Sequence, residues 1–197
     1  MTTDPARIRH YMTSFRFKQL LIEELGWDNT NQAPLTVTVD GAPYTLQAIA
    51  EKRGIVVLVC PATPPYPIRR KIDKEVTKYH REHLIVFAAP DQSAQVWLWV
   101  RREPGKPAAG RERHYYRGES GERVAQTLAG LTFTLEEEEQ LTLIEGVGRV
   151  RAAFDVDRVT KKFYDRFKRE HDAFLQFIQG IPDAEFQRWY ASVMICL

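Results

Sequence analysis

Glu24, Asp40, Glu51 and Lys52 carry the groups that a metal-dependent cut of a phosphodiester requires. In such chemistry two carboxylates hold Mg²⁺, with Asp40 and Glu51 as the candidates here, while a lysine stabilises or generates the attacking hydroxide. The spacing fits poorly. Side chains two apart in a strand share a face, so in the segment AEKRG Glu51 aligns with Arg53 rather than with Lys52. An arginine stays charged and cannot act as a base. The apolar run after it, IVVLVC, has no ionisable group except Cys60. Asp40 is more simply explained as a turn residue and Glu51 as a solvated strand end.

Cations give the broader signal. Arg69, Arg70, Lys71, Lys74, Lys78 and Arg81 crowd one segment, and Arg101, Arg102, Lys106, Arg111, Arg113 and Arg117 a second. A third runs from Arg149 to Arg169 and includes Arg158, Lys161, Lys162 and Arg166. Such residues contact phosphates without reading base sequence, which makes Arg69, Arg70, Lys71, Lys74, Arg158, Lys161, Lys162 and Arg166 the nucleic-acid candidates. The bland account is a solvated helix with i,i+4 pairs such as Asp157 with Lys161. Trp97 and Trp99 share one strand face, a pattern that suits core packing or the stacking of a base.

Other chemistries lack their residues. There is no G-x-S-x-G elbow, Walker lysine loop, H-E-x-x-H or glycine-rich dinucleotide turn, and Gly146-Val147-Gly148 reads as a helix break. The five histidines lack the paired spacing of structural zinc. Cys60 and Cys196 make no disulfide framework and read as reduced thiols. With 197 residues, 44% hydrophobic and 27% charged, the chain has the composition of a globular protein; a net charge of +2 means that cation placement, not number, must carry any nucleic-acid argument. No apolar h-region or membrane-length run occurs, so the expectation is a cytoplasmic protein without a membrane partner.

The elements that would position these groups follow from periodicity. Ala6 to Trp27 reads as one amphipathic helix. LTVTVDGAPYTL reads as a hairpin turning at Asp40-Gly41, and IVVLVC as a central strand covered on both faces. Ile68 to His83 is predicted helical, HLIVFAA and QVWLWVRRE are predicted strands, and 103–120 is predicted to be an exposed loop or hairpin. Gly121 to Leu131 reads as a short helix, Thr134 caps the next, and Phe154 to Ile178 forms a long helix with Val159, Phe163, Phe167, Phe174 and Ile178 on its apolar face. A last helix opens at Pro182 or Asp183. The order predicts an α/β protein with a restriction endonuclease-like α-β-β-β-α-β core, a mixed central sheet and an all-helical extension. Residues 1–131 are the expected nuclease-like domain, and 132–197 a helical connector that ends early.

The segments FKQLLIEELGW, AEKRGIVVLVC, RRKIDKEVTKYHREHLIVF, QVWLWVRREPGKPAAGRE and above all FDVDRVTKKFYDRFKREHDAFLQFI followed by RWYASVM extend over nearly the whole chain. They resemble the amino-terminal region of bacterial type IIG-like fused restriction-modification enzymes, in which an adenine-N6 DNA methyltransferase lies downstream. The resemblance implies a nuclease-like module of phage defence that acts on double-stranded DNA and uses Mg²⁺. It also implies a methyltransferase domain or subunit as partner. The chain has neither the N-P-P-[YF] tetrapeptide nor a glycine-rich loop for S-adenosylmethionine. DNA binding is expected over cleavage, because the acid-x-lysine motif is degenerate. The alternative is a protein-interaction domain that docks onto a methyltransferase or another defence component without touching DNA. Self-association through Phe186, Trp189, Tyr190 and Met194 of the C-terminal helices would mark it.

Overall fold

The computed structural model describes residues 4–134, 137, 142–155, 157–178, 180 and 183–196, with only the backbone described for 157–165, 195 and 196. It forms two compact units, Met1–Phe154 and Asp155–Leu197. The first is an α/β unit around a mixed sheet of six strands: β1 (Leu35–Val39), β2 (Ala42–Lys52), β3 (Ile55–Cys60), β4 (Glu82–Ala88), β5 (Ala94–Arg101) and β6 (Ala109–Tyr116). They lie in sequence order across the sheet. Every neighbouring pair is antiparallel except β3 and β4, which run parallel. A parallel pair needs a crossover, and helix α3 (Tyr66–Val76) supplies it.

Tight turns set the register of the first three strands. Asp40 and Gly41 both take positive φ, 49° and 81°, between the paired residues Val39 and Ala42. Arg53 and Gly54 repeat this at 48° and 85°, between Lys52 and Ile55. Two consecutive positive φ values give a turn whose twist matches that of the flanking strands. Arg53 is therefore a turn residue, and its expected alignment with Glu51 along a strand does not arise.

Alternation along the strands builds two cores. Val57, Leu84, Val86, Trp97 and Trp99 face one layer with Ile8, Leu20, Leu21, Val124, Leu128 and Phe154. Val56, Leu58, Ile85, Phe87, Val96 and Leu98 face the other, where Ile72 and Val76 of α3 cover them. Trp97 and Trp99 are thus buried core, and Trp97 donates its indole N–H to Gln95 Oε1. The stacking role considered for them from sequence is closed off by that burial.

The elements depart from the expected pattern in several places, among them α3, which ends at Val76 and leaves His83 to β4. The single helix expected over Ala6 to Trp27 is broken. Helix α1 (Pro5–Thr13) ends, Phe15 adopts φ 58°, and α2 (Phe17–Gln19) continues through a π-helical stretch at Leu20–Glu24. Of the two forms expected for 103–120, loop or hairpin, residues 109–116 take the second: they form β6, an edge strand antiparallel to β5. Helix α5 (Leu143–Phe154) runs straight through Gly146 and Gly148, the expected break. A β-carbon on Gly146 would lie 3.1 Å from Ile55 Cδ1, so this glycine lets α5 approach β3 closely. Val150 and Phe154 are buried in the first core. This carries the compact unit to Phe154 rather than to residue 131.

Helix α4 (Glu122–Ala129) lies where a short helix was expected. Two capping boxes follow: Thr134 with Glu137, and Thr142 with Glu145. Arg149 donates to both Glu137 carboxylate oxygens, and its side-chain hydrogen bond, helped by the Thr134 amide, pulls the Glu137 carboxyl down to about 2.

The second unit contains helices α6 (Asp157–Leu175) and α7 (Ala184–Cys196). Gln187 Nε2 donates to the carbonyls of Leu175 and Ile178, and Asp183 Oδ1 caps α7 by accepting from the Glu185 amide. Phe167, Phe174 and Ile178 of the predicted apolar face are half-buried. No helix among the described residues is long and apolar enough to cross a membrane.

Candidate functional site

Helix α3 has two chemically opposed faces. Arg69, Ile72, Asp73 and Val76 point inward and are buried, at the i, i+3, i+4, i+7 spacing of one helix face. Lys71 and Lys74 on the helix are exposed, as are Lys78 and Arg81 in the segment just beyond it, where Lys78 pairs with Glu75. The stripe is a set of ammonium groups suited to phosphate oxygens.

Two buried charge clusters fix this helix to the sheet. In the first, Asp73 Oδ1 lies 3.0 Å from His83 Nε2 on β4 and also accepts from Arg102 Nη2 at the end of β5; Arg70 Nη1 lies 3.3 Å from Oδ2. His83 is 1% exposed, and its Nδ1 lies 2.7 Å from the His80 carbonyl oxygen. Each ring nitrogen therefore lies within hydrogen-bond distance of an oxygen. Arg102 Nη2 also reaches Thr77 Oγ1 at 2.8 Å. Burial by itself raises the Asp73 carboxyl, but the His83 hydrogen bond and the charges of Arg102, His83 and Arg70 outweigh it, leaving the group below its ordinary value. In the second cluster, Arg69 donates from Nε and Nη2 to the two carboxylate oxygens of Glu112 at 2.8 and 2.9 Å, and from Nη1 to the Pro64 carbonyl. Such a fork is strong and directional.

Arg69 is therefore a buried structural arginine and not the phosphate contact expected from sequence. Arg70 is half-buried between Asp73 and the Ala108 carbonyl. Lys71 remains on the surface, its ammonium 2.7 Å from both oxygens of Asp40. Both partners are about half exposed, so the pair contributes about 0–1 kcal/mol and can yield to another anion. Lys74 is exposed and has no side-chain partner among the described residues. Arg166 is exposed, whereas Arg158, Lys161 and Lys162 fall outside the described side chains.

The four catalytic candidates do not assemble. Asp40 and Glu51 stand at opposite ends of β2, an 11-residue strand, which at about 3.3 Å per residue puts them on the order of 30 Å apart. They cannot share a cation, so the expected Mg²⁺ pair is corrected. Glu24 is on the π-helical stretch, its carboxylate beside Arg7. Glu51 and Lys52 do share a cluster, with Asp28 as a member that the sequence reading missed. Asp28 and Glu51 exchange two backbone hydrogen bonds of 2.8 and 2.9 Å, Gln32 Nε2 donates to Glu51 Oε2, and the Lys52 ammonium lies 3.1 Å from Asp28 Oδ1. Lys52 is 2% exposed. This geometry ties the 27–32 loop to the end of β2. Among the described residues, no three His, Cys, Asp or Glu side chains stand where they could hold a metal ion. Cys60 is buried, and that burial, only partly countered by a backbone hydrogen bond at Ala62, pushes its thiol up to about 11, far from a reactive thiolate.

Edge strand β6, the second arm of the hairpin that was one of the two expectations for 103–120, adds further groups. Glu112, held by Arg69, also lies 3.0 Å from His114 Nε2, and the exposed rings of His114 and Tyr116 follow on the same strand face. RERHYY has no apolar alternation to mark it as a strand, and the Gly and Pro just before it point to a turn. Comparison with protein-family models, with curated proteins and with solved structures gives no match.

Proposed function

We propose that the chain is a DNA-associated, nuclease-like module of a restriction-modification protein of phage defence, and that it binds duplex DNA without cutting it. The observation that carries this reading is the stripe of Lys71 and Lys74, continued by Lys78 in the turn that follows, on a helix that ion pairs hold against a sheet. Cations fixed in this way position a duplex through its phosphates. Further support comes from the strand arrangement, with antiparallel β1, β2 and β3 followed by a helix and a parallel β4, which is the order used by restriction endonuclease-like cores. The sequence resemblance to type IIG-like enzymes points the same way and names a methyltransferase as partner. The separation of Asp40 from Glu51 favours binding over cleavage.

The test is a plasmid assay beside a binding assay. Supercoiled DNA incubated with the protein and Mg²⁺ is expected to stay intact, and Asp40→Ala and Glu51→Ala are expected to bind duplex as the parent does. Nicking that either substitution abolishes would restore the catalytic assignment.

A second reading, docking onto a methyltransferase or another defence component without DNA contact, is favoured by α7. Phe186, Trp189, Tyr190, Val193 and Met194 are exposed along it, with Trp189 at 57%. Clusters of exposed apolar side chains of this kind mark interaction surfaces. On this reading light scattering finds the full chain self-associated and the Trp189→Asp variant monomeric. A monomeric parent at high protein concentration removes this support.

A further inference from the structure

We propose that the groove between β6 and the start of α4 receives an unpaired nucleotide of a DNA strand, its base lying on the rings of His114 and Tyr116 and its phosphate on Arg123. The inference rests on the DNA-associated reading above and assigns a second, strand-specific contact within it. The groove has a volume of about 570 Å³ and includes His114, Tyr116 and Arg123 among its lining residues. That is within the size range of small-ligand sites.

The two rings are close to parallel, at 19° with centroids 6.4 Å apart. Side chains at i and i+2 of a strand share a face, so the pair presents parallel aromatic rings on one side of β6, a platform on which a base can stack. Tyr116 is 51% exposed and the His114 side chain 39%. The platform is also held in place. Arg69 grips Glu112, and Glu112 in turn accepts from His114 Nε2, so a chain of three residues sets the imidazole plane. β6 is an edge strand, which leaves the platform's flank open.

The contact to a phosphate falls to Arg123. Each lining carboxylate is engaged: Glu112 by Arg69 and His114, Glu119 by the Tyr116 amide at 3.2 Å, and Glu122 by Arg9 and Gln126. Arg123 is exposed, and its guanidinium has no partner within the described residues. An aromatic platform beside an uncommitted cation is the arrangement that takes single-stranded nucleic acid, because every base offers a π-face whatever the sequence. A base inside a duplex has both faces covered, so the platform distinguishes an unpaired nucleotide from a paired one.

The experiment uses the full chain and a 12-nucleotide single strand with one 2-aminopurine, whose fluorescence falls on stacking, next to a blunt duplex of the same sequence. Tyr116→Ala is expected to weaken single-strand binding roughly 5- to 100-fold and to abolish the quench. Tyr116→Phe retains both, and blunt duplex binding is unchanged in either variant. Unaltered single-strand affinity in Tyr116→Ala, with duplex binding intact, overturns this inference and leaves the DNA-associated reading standing. An equal loss on duplex and single strand also overturns it. Failure of the parent to bind either form overturns both.

Discussion

Asp73→Ala is expected to lower the unfolding free energy by about 3–5 kcal/mol, the usual cost of removing one member of a buried ion network. The substitution leaves His83 and the Arg102 guanidinium facing one another without the carboxylate that both now contact. Asp73→Asn preserves the shape and removes the charge, so it should lie between the parent and the alanine variant in denaturant unfolding. The pH dependence has a definite sign. The folded Asp73 carboxyl is held below its ordinary value, so its contribution is fully present above the unfolded value of about 3.9 and disappears as pH falls through the folded one. Asp73→Ala should therefore flatten the acid limb of the stability profile. An alanine variant as stable as the parent would mean that this cluster does not anchor α3.

Neutralising the α3 stripe is the second large effect. With Lys71, Lys74 and Lys78 all changed to Gln, duplex affinity at 50 mM salt should fall on the order of 10³-fold, since each lost phosphate contact forfeits about 0.9 released counterions. The fold should survive, because all three side chains are exposed. Arg69→Gln gives the contrasting behaviour. It takes the guanidinium away from the part-buried Glu112, so stability falls while the salt dependence of binding remains. Parent-like duplex affinity in the triple variant would move the interface away from α3.

Much of the scaffold was legible because local rules and tertiary context agree. Asp40-Gly41 predicts its turn from the conformational freedom of those residues. The unbroken apolar run IVVLVC predicts a strand covered on both faces, and Thr134 predicts its cap. Where tertiary contacts overrule local preference, the reading failed. Gly146 looks like a helix break, yet it allows close packing against Ile55. The strand in RERHYY is disguised by charge, because its Glu112 and Arg113 are satisfied by partners from other elements. The candidate site was half legible. Cations at 71, 74 and 78 were visible as charges, but Arg69 was grouped with them although it keeps helical spacing with Ile72 and Val76. That spacing marks both Arg69 and Asp73 as inward-facing. The partners of Asp73 come from β4 and the end of β5, and no sequence period connects them. The Asp40 and Glu51 pairing failed for a simpler reason: a strand's length separates them.

The most direct test of the DNA-associated reading is the affinity of the full chain for a blunt duplex measured at a series of salt concentrations. Four exposed cations, Lys71, Lys74, Lys78 and Arg81, predict a slope of roughly −3.6 in log affinity against log salt, a loss of about 150-fold between 50 and 200 mM. A flat line over that range, or no binding at its low end, would contradict the account.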